Sequence, residues 1–317
     1  MKKLGSIIKI GLPLLLGVIL VWYSLSKISI PELLKYFKKA DYAWIVLGVS
    51  FGVLSHISRA YRWLFMAEPL GYKPKLANSF MAVYSAYLIN FTIPRAGEIA
   101  RASILTNYEG VPFDKGFGTI VAERVADTII LLLIILFALF LEYDFIYQFF
   151  ADRFNLTTIV IGGFGLLFLI ILGFLFIRKS QTQLAKKIRT FVSGLIEGAL
   201  SIFKMKKKWA FIFHTIFIWS MYVLMFYVTS FALEELEGIS FAAILIGFIL
   251  ASFSIAATNG GIGSFPEAIV IAFLLFSLPE DPSRAFGWIM WSSQTIMIII
   301  LGGISLLYLP IYNRKKA

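Results

Sequence analysis

Asn259-Gly-Gly-Ile-Gly-Ser-Phe-Pro-Glu267 and Asn90-Phe-Thr-Ile-Pro-Arg-Ala-Gly-Glu98 decide how this chain is read. Each stretch runs from an Asn, through helix-breaking Gly and Pro, to a Glu eight positions on, and each lies between apolar runs long enough to enter a bilayer. Unwound polar backbone at membrane depth is tolerated only where protein buries it or where it lines a wet cavity. Paired interruptions in the two halves of a chain point to a transporter's binding site.

Around these stretches the composition leaves one class open. With 317 residues, 59% hydrophobic and 15% charged, at a mean hydropathy of +0.85, the chain carries more apolar surface than one soluble core can hide. It reads as a polytopic membrane protein. The absence of cysteine excludes disulfide and thiolate chemistry, and two histidines, His56 and His214, are too few for a histidine-rich metal site. The net charge of +11 sits in short connections beside apolar spans, which suits an anionic membrane surface rather than nucleic acid. The start, Met1-Lys2-Lys3 and an apolar run through Trp22, reads as a retained first span, because no small-residue cleavage site follows.

Apolar runs predict about six full spans, near 5–25, 42–66, 115–141, 157–177, 208–232 and 284–310. Between them fall two re-entrant or broken-helix hairpins. Hairpin A has arms near 76–92 and 94–108, and hairpin B near 241–258 and 264–278. The expected fold is all-α, one transmembrane domain over residues 1–317. The basic connection 178–207 and the tail Arg314-Lys315-Lys316 are expected in the cytoplasm with both termini, which implies an inner (cytoplasmic) membrane. Loop 27–41, with four lysines, breaks that rule because parity puts it outside. By the same parity hairpin A begins and ends on the cytoplasmic side and hairpin B on the other. Units 42–141 and 208–310 therefore form an inverted-topology repeat. Within the connection, Leu184, Ile188, Phe191, Leu195, Ala199 and Ile202 recur at helical spacing and predict an amphipathic helix in the headgroup plane. Ile30 to Lys39 carries a weaker version of the same signal.

Charges inside apolar segments are costly, about 2.5 to 3.5 kcal/mol each on insertion scales, so each is a functional candidate. Arg95, Glu98 and Arg101 are spaced i, i+3, i+6 along a helix that Pro94 can start. Glu123 and Asp127 lie i, i+4 on the next span, with Arg124 between them. Two readings stay open: an ion-paired core that a ligand opens, and a structural salt-bridge cluster tying hairpin to span. In hairpin B, Gly260, Gly261 and Gly263 leave amide groups unobstructed, and Ser264-Phe-Pro-Glu267 matches a capping box. Asn90 and Asn259 open the two stretches. A helix start with free N–H donors suits a phosphate or carboxylate. Arg59 and Arg62, at the end of the second span, read as snorkelling anchors or as headgroup contacts. The histidines read as hydrogen-bonded packing residues.

Pro94-Arg-Ala-Gly-Glu98-Ile-Ala-Arg101, Glu123-Arg124-Val-Ala-Asp127 and Asn259-Gly-Gly-Ile-Gly-Ser-Phe-Pro-Glu267 together resemble the membrane region of lysylphosphatidylglycerol synthases and the stand-alone flippase-like proteins related to it. Their order and spacing cover nearly the whole chain. The resemblance implies an integral membrane fold with re-entrant helices that moves a lipid between leaflets. In two-part members a separate soluble domain makes the aminoacylated lipid. Here the chain stops at Ala317, just past the last span, so lysyl transfer is not expected. One departure stands out: the second motif usually has Pro where this chain has Thr258 or Asn259.

The expected function is translocation of a phospholipid or lipid-linked headgroup, anionic or zwitterionic. Arg95, Arg101 and Arg124 would meet phosphate, Glu98, Glu123 and Asp127 would balance them or take up protons, and the Gly260–Ser264 backbone would cradle the headgroup. No Walker A sequence is present, so ATP is not an expected driver. No cofactor or metal is expected. Membrane lipids are the expected partners, with a homo-oligomer or a lipid-synthase partner also compatible. Two rivals are an intramembrane lipid-modifying enzyme, disfavoured by the lack of any nucleophile or metal motif, and a non-transporting membrane partner of a lipid synthase.

Overall fold

The computed structural model describes residues 2–93, 95–143, 147, 156–186, 188–189, 202 and 205–314, with side chains from residue 15 onward and further gaps within 156–174. Among these residues every regular element is a helix. In chain order they are α1 (Lys2–Lys27), α2 (Ile30–Lys39), α3 (Tyr42–Ala67), α4 (Leu76–Thr92), α5 (Ala96–Glu109), α6 (Phe113–Leu141), α7 (Leu156–Lys179), α8 (Lys208–Ser230), α9 (Phe241–Ala257), α10 (Ser264–Leu274) and α11 (Glu280–Tyr312). Short 3-10 turns follow α3 and α8.

Four of these, α3, α6, α8 and α11, are long and apolar enough to cross a membrane among the described residues. A fifth is reached if Leu15–Lys27 and α2, bent by 82° at Ile28-Ser29, count as one broken span. Helix α7 occupies the place of the expected span 157–177. Most of the expected amphipathic helix in the basic connection lies outside the described residues. Of its apolar face, Leu184 is exposed and Ile202 is buried among core residues.

Local chemistry sets the helix starts. The Asp41 side chain accepts from Ala43 N to cap α3, Ser29 caps α2 with Pro31 in its first turn, and Ser240 caps α9. The second arms of both hairpins start differently, from a residue in the left-handed region: Arg95 (φ 60°) before α5 and Gly263 (φ 69°) before α10. Pro94, expected to start α5, lies outside the described residues, and the helix begins at Ala96.

Two hydrophobic cores sit at opposite ends of the long helices. One gathers Ile28, Leu33, Phe226, Leu236, Phe248, Phe273 and Phe286 around hairpin B. The other gathers Trp63, Met66, Met81, Leu105, Ile120, Phe211 and Leu309 around hairpin A. Helices α3 and α8 lie antiparallel between them: Asp41 N donates to Ala232 O at one end, and Lys207 pairs with Glu68 at 2.9 Å at the other. Asn78 bonds both Glu109 and Asn313 at this second end, so both outer ends of hairpin A lie there. The outer ends of hairpin B lie with Asp41 and Ala232.

The hairpin arms are short: 17 and 14 residues in α4 and α5, 17 and 11 in α9 and α10. A spanning helix needs about 20 residues, and each arm is shorter than that. Their tips meet. A Cβ on Gly260, at the tip of hairpin B, would lie 2.5 Å from Phe91 Cε1, beside the tip of hairpin A. Glycines also allow the close helix contacts that hold the tips in place: Gly97 faces the Ala86 carbonyl within hairpin A, Gly287 faces Pro266, and Gly302 faces Tyr84 and Leu88. Packing follows a matched pattern, α4 with α5 and α11 on one side, α9 with α10 and α6 on the other. Helix α1 crosses hairpin B, with Leu20 and Val21 against Gly263 and Gly17 against Ile262. Among the described residues of α7, Gly162, Gly165 and Gly173 face open space.

Candidate functional site

The densest chemistry among the described residues is a buried charge cluster where hairpin A meets α3 and α6. Arg59 and Arg62 stand one turn apart on α3, and Glu123 and Asp127 one turn apart on α6, so the two pairs interlock. Arg59 Nη1 lies 2.5 Å from Glu123 Oε1 and 2.7 Å from Asp127 Oδ2. Arg62 reaches the same carboxylates at 3.1 and 3.0 Å and donates to Thr215 Oγ1 on α8. From α5, Arg101 grips Glu123 with two parallel bonds of 3.1 and 3.0 Å, while its guanidinium lies 3.8 Å from the Trp63 ring centroid. The planar guanidinium suits both contacts at once. Trp219 N–H adds a bond to Asp127.

Charges this deep hold together only when each has a partner, and removing one partner strands the others. The Glu123 side chain and that of Arg62 are fully enclosed. Even so, Arg59 Nε, Arg62 Nε, Arg101 Nε and Glu98 Oε2 are buried without a hydrogen-bond acceptor or donor. A narrow cleft opens beside them, lined by Arg59, Val83, Ala86, Tyr87, Asn90, Glu98, Arg101 and Arg124. Arg124 stands at its mouth, 45% exposed, 3.6 Å from Glu98 and 3.8 Å from Asp127.

Arg101, Glu123, Arg124, Asp127 and Glu98 thus gather as expected. Arg95 does not. Its left-handed backbone breaks the i, i+3, i+6 register, and its side chain is exposed and makes no ion pair among the described residues. Arg59 and Arg62 are neither snorkelling nor exposed, since the facing carboxylates of α6 draw them into the centre. Asn90 accepts from Gly97 N at 2.7 Å, which closes hairpin A on itself while still lining the cleft.

Hairpin B departs further from expectation. The capping box of Ser264 and Glu267 does not form: Gly263 is the N-cap, and no side chain caps the helix. Ser264 instead bonds Ser254 and Thr258, and Glu267 turns away to Arg284 (2.8 Å) and Ser24 (2.6 Å). Of the three glycine amides, Gly261 N is committed, donating to Thr258 Oγ1, and the missing side chains of Gly260 and Gly263 let Phe91 and the α1 backbone approach closely. Asn259 is buried, with Nδ2 unpartnered.

Arg284 was not among the expected site residues. It lies inside α11, which begins four residues before the apolar run, and its spacing of i+4 from Glu280 was the available signal. Trp63, Thr215, Trp219 and Ser24 carry no sequence signal of their own. Both histidines pack as expected: His214 Nδ1 pairs with Ser58 Oγ at 2.8 Å, and His56 sits among Tyr84, Tyr87 and Tyr222.

The arrangement matches known sequences over most of its length. The profile of the lysylphosphatidylglycerol synthase TM region covers residues 10–302. The chain belongs to the lysylphosphatidylglycerol synthase TM region family. A UPF0104 membrane protein of Methanocaldococcus jannaschii is 25% identical across 98% of each chain. No solved structure matches the chain. As a member of this family with four to five candidate spans, it is a multi-pass membrane protein.

Proposed function

We propose that this protein moves a phosphate-bearing lipid between the leaflets of a membrane and catalyses no reaction. The observation that carries this reading is the cleft at the tip of hairpin A. Its wall holds Arg59, Arg101 and Arg124, and the Nε atoms of Arg59 and Arg101 stay without an acceptor although both arginines are ion-paired. Four guanidiniums face three carboxylates, so the cluster has one positive charge in excess in its ordinary charge state. A phosphate monoanion completes it. The family takes its name from a lipid synthase, which supports a lipid as the ligand.

Translocation also needs a way past the middle of the bilayer. Units 42–141 and 208–310 act as an inverted repeat: α3 and α8 form the central pair, and α4–α6 correspond to α9–α11. Glu98 with Arg124 in the first unit then corresponds to Glu267 with Arg284 in the second. Both hairpins are re-entrant, since their arms are too short to cross and their tips touch. The two halves differ in cover, with α1 seated on hairpin B and a narrow cleft left beside hairpin A. That difference is what one of two alternating states requires. Loops 178–207 and the termini face the cytoplasm in this reading.

The test is reconstitution into liposomes with tail-labelled anionic lipids and chemical quenching of the outer leaflet. Exchange between leaflets that is lost in Arg124→Ala supports the proposal. A new lipid product without exchange supports an enzyme instead, and neither outcome leaves a scaffolding role.

A further inference from the structure

A second cavity, of about 350 Å³, lies outside the arginine cleft, at the end of the molecule where Lys207 meets Glu68. Its floor is apolar and aromatic: Tyr61, Leu64 and Phe65 come from α3, and Tyr72 from just beyond the turn that follows. Its rim is charged. Lys207 pairs with Glu68 at 2.9 Å, with side chains 52% and 38% exposed, and Lys73 stands beside them. Lys73 and Lys206 bear electrostatically on the same Glu68 carboxylate. Three ammonium groups against one carboxylate leave the rim positive. Lys207 also lies 5.7 Å from the Phe65 ring centroid, and Lys115 lies 5.5 Å from that of Tyr72, so cation–π contacts hold ammonium groups at the aromatic floor.

The floor continues along α3. Leu54, Ile57 and Tyr61 are exposed, and with Leu64 and Glu68 they follow one another at steps of three and four residues, along one side of the helix. On a helix long and apolar enough to cross a membrane, such a strip faces acyl chains. At about 1.5 Å per residue, the strip from Leu54 to Leu64 runs about 15 Å, half of a hydrocarbon core about 30 Å thick. Arg59, which enters the charge cluster, projects from the other side of α3, and the two cavities share no lining residue.

An apolar strip one leaflet long that ends at a positive, aromatic-floored cavity fits a lipid whose acyl chain follows the strip and whose phosphate enters the rim. A free anion leaves the strip unused, and a zwitterionic lipid brings a cation to a rim that is already positive. We propose that this cavity seats a resident anionic lipid, one that stays with the protein and is not its cargo. Tyr61 and Phe65 both pack on His214 of α8, whose Nδ1 bonds Ser58, the neighbour of Arg59. The seated lipid thus braces the α3–α8 pair beside the arginine cluster. The site stands or falls independently of lipid translocation.

The test irradiates the full chain in liposomes that carry phosphatidic acid or phosphatidylcholine with a diazirine in one acyl chain, and reads the labelled residues by peptide mass spectrometry. Phosphatidic acid should label the 54–64 face of α3, and phosphatidylcholine should label it far less. Near a membrane surface each lysine is worth about fivefold in affinity for an anionic lipid, so Lys73→Ala should weaken the label about fivefold, and Lys73→Ala with Lys207→Ala about 25-fold. Lys73 is exposed, so the single variant decides the matter if the double one folds poorly. Arg124→Ala should leave this label unchanged. Equal labelling by phosphatidylcholine overturns the proposal, as does an unchanged label in the lysine variants. Loss of the label in Arg124→Ala overturns it too, because the lipid would then be reaching α3 from the cleft. If inorganic phosphate removes the label where sodium chloride of equal ionic strength does not, the cavity takes a free anion and the lipid is excluded. Leaflet exchange plays no part in this readout, so a protein that moves no lipid can still show the site.

Discussion

Glu123 is the carboxylate on which three guanidiniums converge, and its neutral isostere is the sharpest probe of what the cluster is for. Glu123→Gln leaves Arg59, Arg62 and Arg101 short of countercharge in an enclosed site, a loss of about 3–5 kcal/mol for a broken buried pair. It should appear as a lower melting temperature and a lower monodisperse yield. Arg124 is the contrasting case. Being half exposed, its pairs should contribute at most about 1 kcal/mol, so Arg124→Ala should fold normally and lose lipid binding at the cleft. If both variants keep normal stability and normal lipid binding, the cleft is not the site. The sequence made Arg101, Glu123 and Asp127 legible because a charge inside an apolar run needs a reason. It left Arg59 and Arg62 open between snorkelling and headgroup contact because a position near the end of a run permits both, and only the facing turn of α6, which draws them inward, removes the first. Arg95 was misplaced because a spacing argument assumes a continuous helix, and one left-handed residue removes it.

At the scale of elements, the first arms of the hairpins were readable almost to the residue, as 76–92 and 241–258 against Leu76–Thr92 and Phe241–Ala257. The second arms were less so, because their starts depend on backbone conformation rather than on hydropathy. Glycine in hairpin B posed a deeper ambiguity: a missing Cβ serves a ligand and a neighbouring helix equally well, and here the neighbour is α1. That seat can be tested directly. A Cβ placed on Gly17 would lie 3.6 Å from Ile262 Cβ, within the span of a disulfide, and the native chain has no cysteine to interfere. The double variant Gly17→Cys, Ile262→Cys should oxidise to an intramolecular bridge, seen as a mobility shift on non-reducing gels. Leaflet exchange should stop in the oxidised protein and return on reduction. Full exchange with the bridge closed would mean that α1 need not leave hairpin B.

For the whole molecule, parity of short basic loops was enough to expect opposite hairpins, and helix ends that meet in space now supply a sidedness test independent of charge rules. Asp41 joins Ala232, and Lys207 joins Glu68. Cysteines replacing Lys39 and Glu235 should therefore react with a membrane-impermeant reagent from one side, and those replacing Lys73 and Lys206 from the other. Reaction of all four from one side would remove the inverted repeat. What hydropathy did not convey was the imbalance in the cluster, which emerges only when seven side chains on three helices are brought together.

That imbalance has an electrical side. A site with one spare positive charge does work when it moves through a field, about 2.3 kcal/mol per elementary charge per 100 mV. Once a phosphate monoanion is seated the site is neutral, and the same displacement is nearly voltage-blind. If the protein moves lipid as proposed, an interior-negative potential acts on the unloaded form alone, drawing its arginines toward the interior and speeding or slowing its return. Imposing a potassium diffusion potential on oriented liposomes should change the exchange rate in opposite directions for opposite polarities. With the carrier saturated on both faces the effect should fade, because the step that senses voltage is then bypassed.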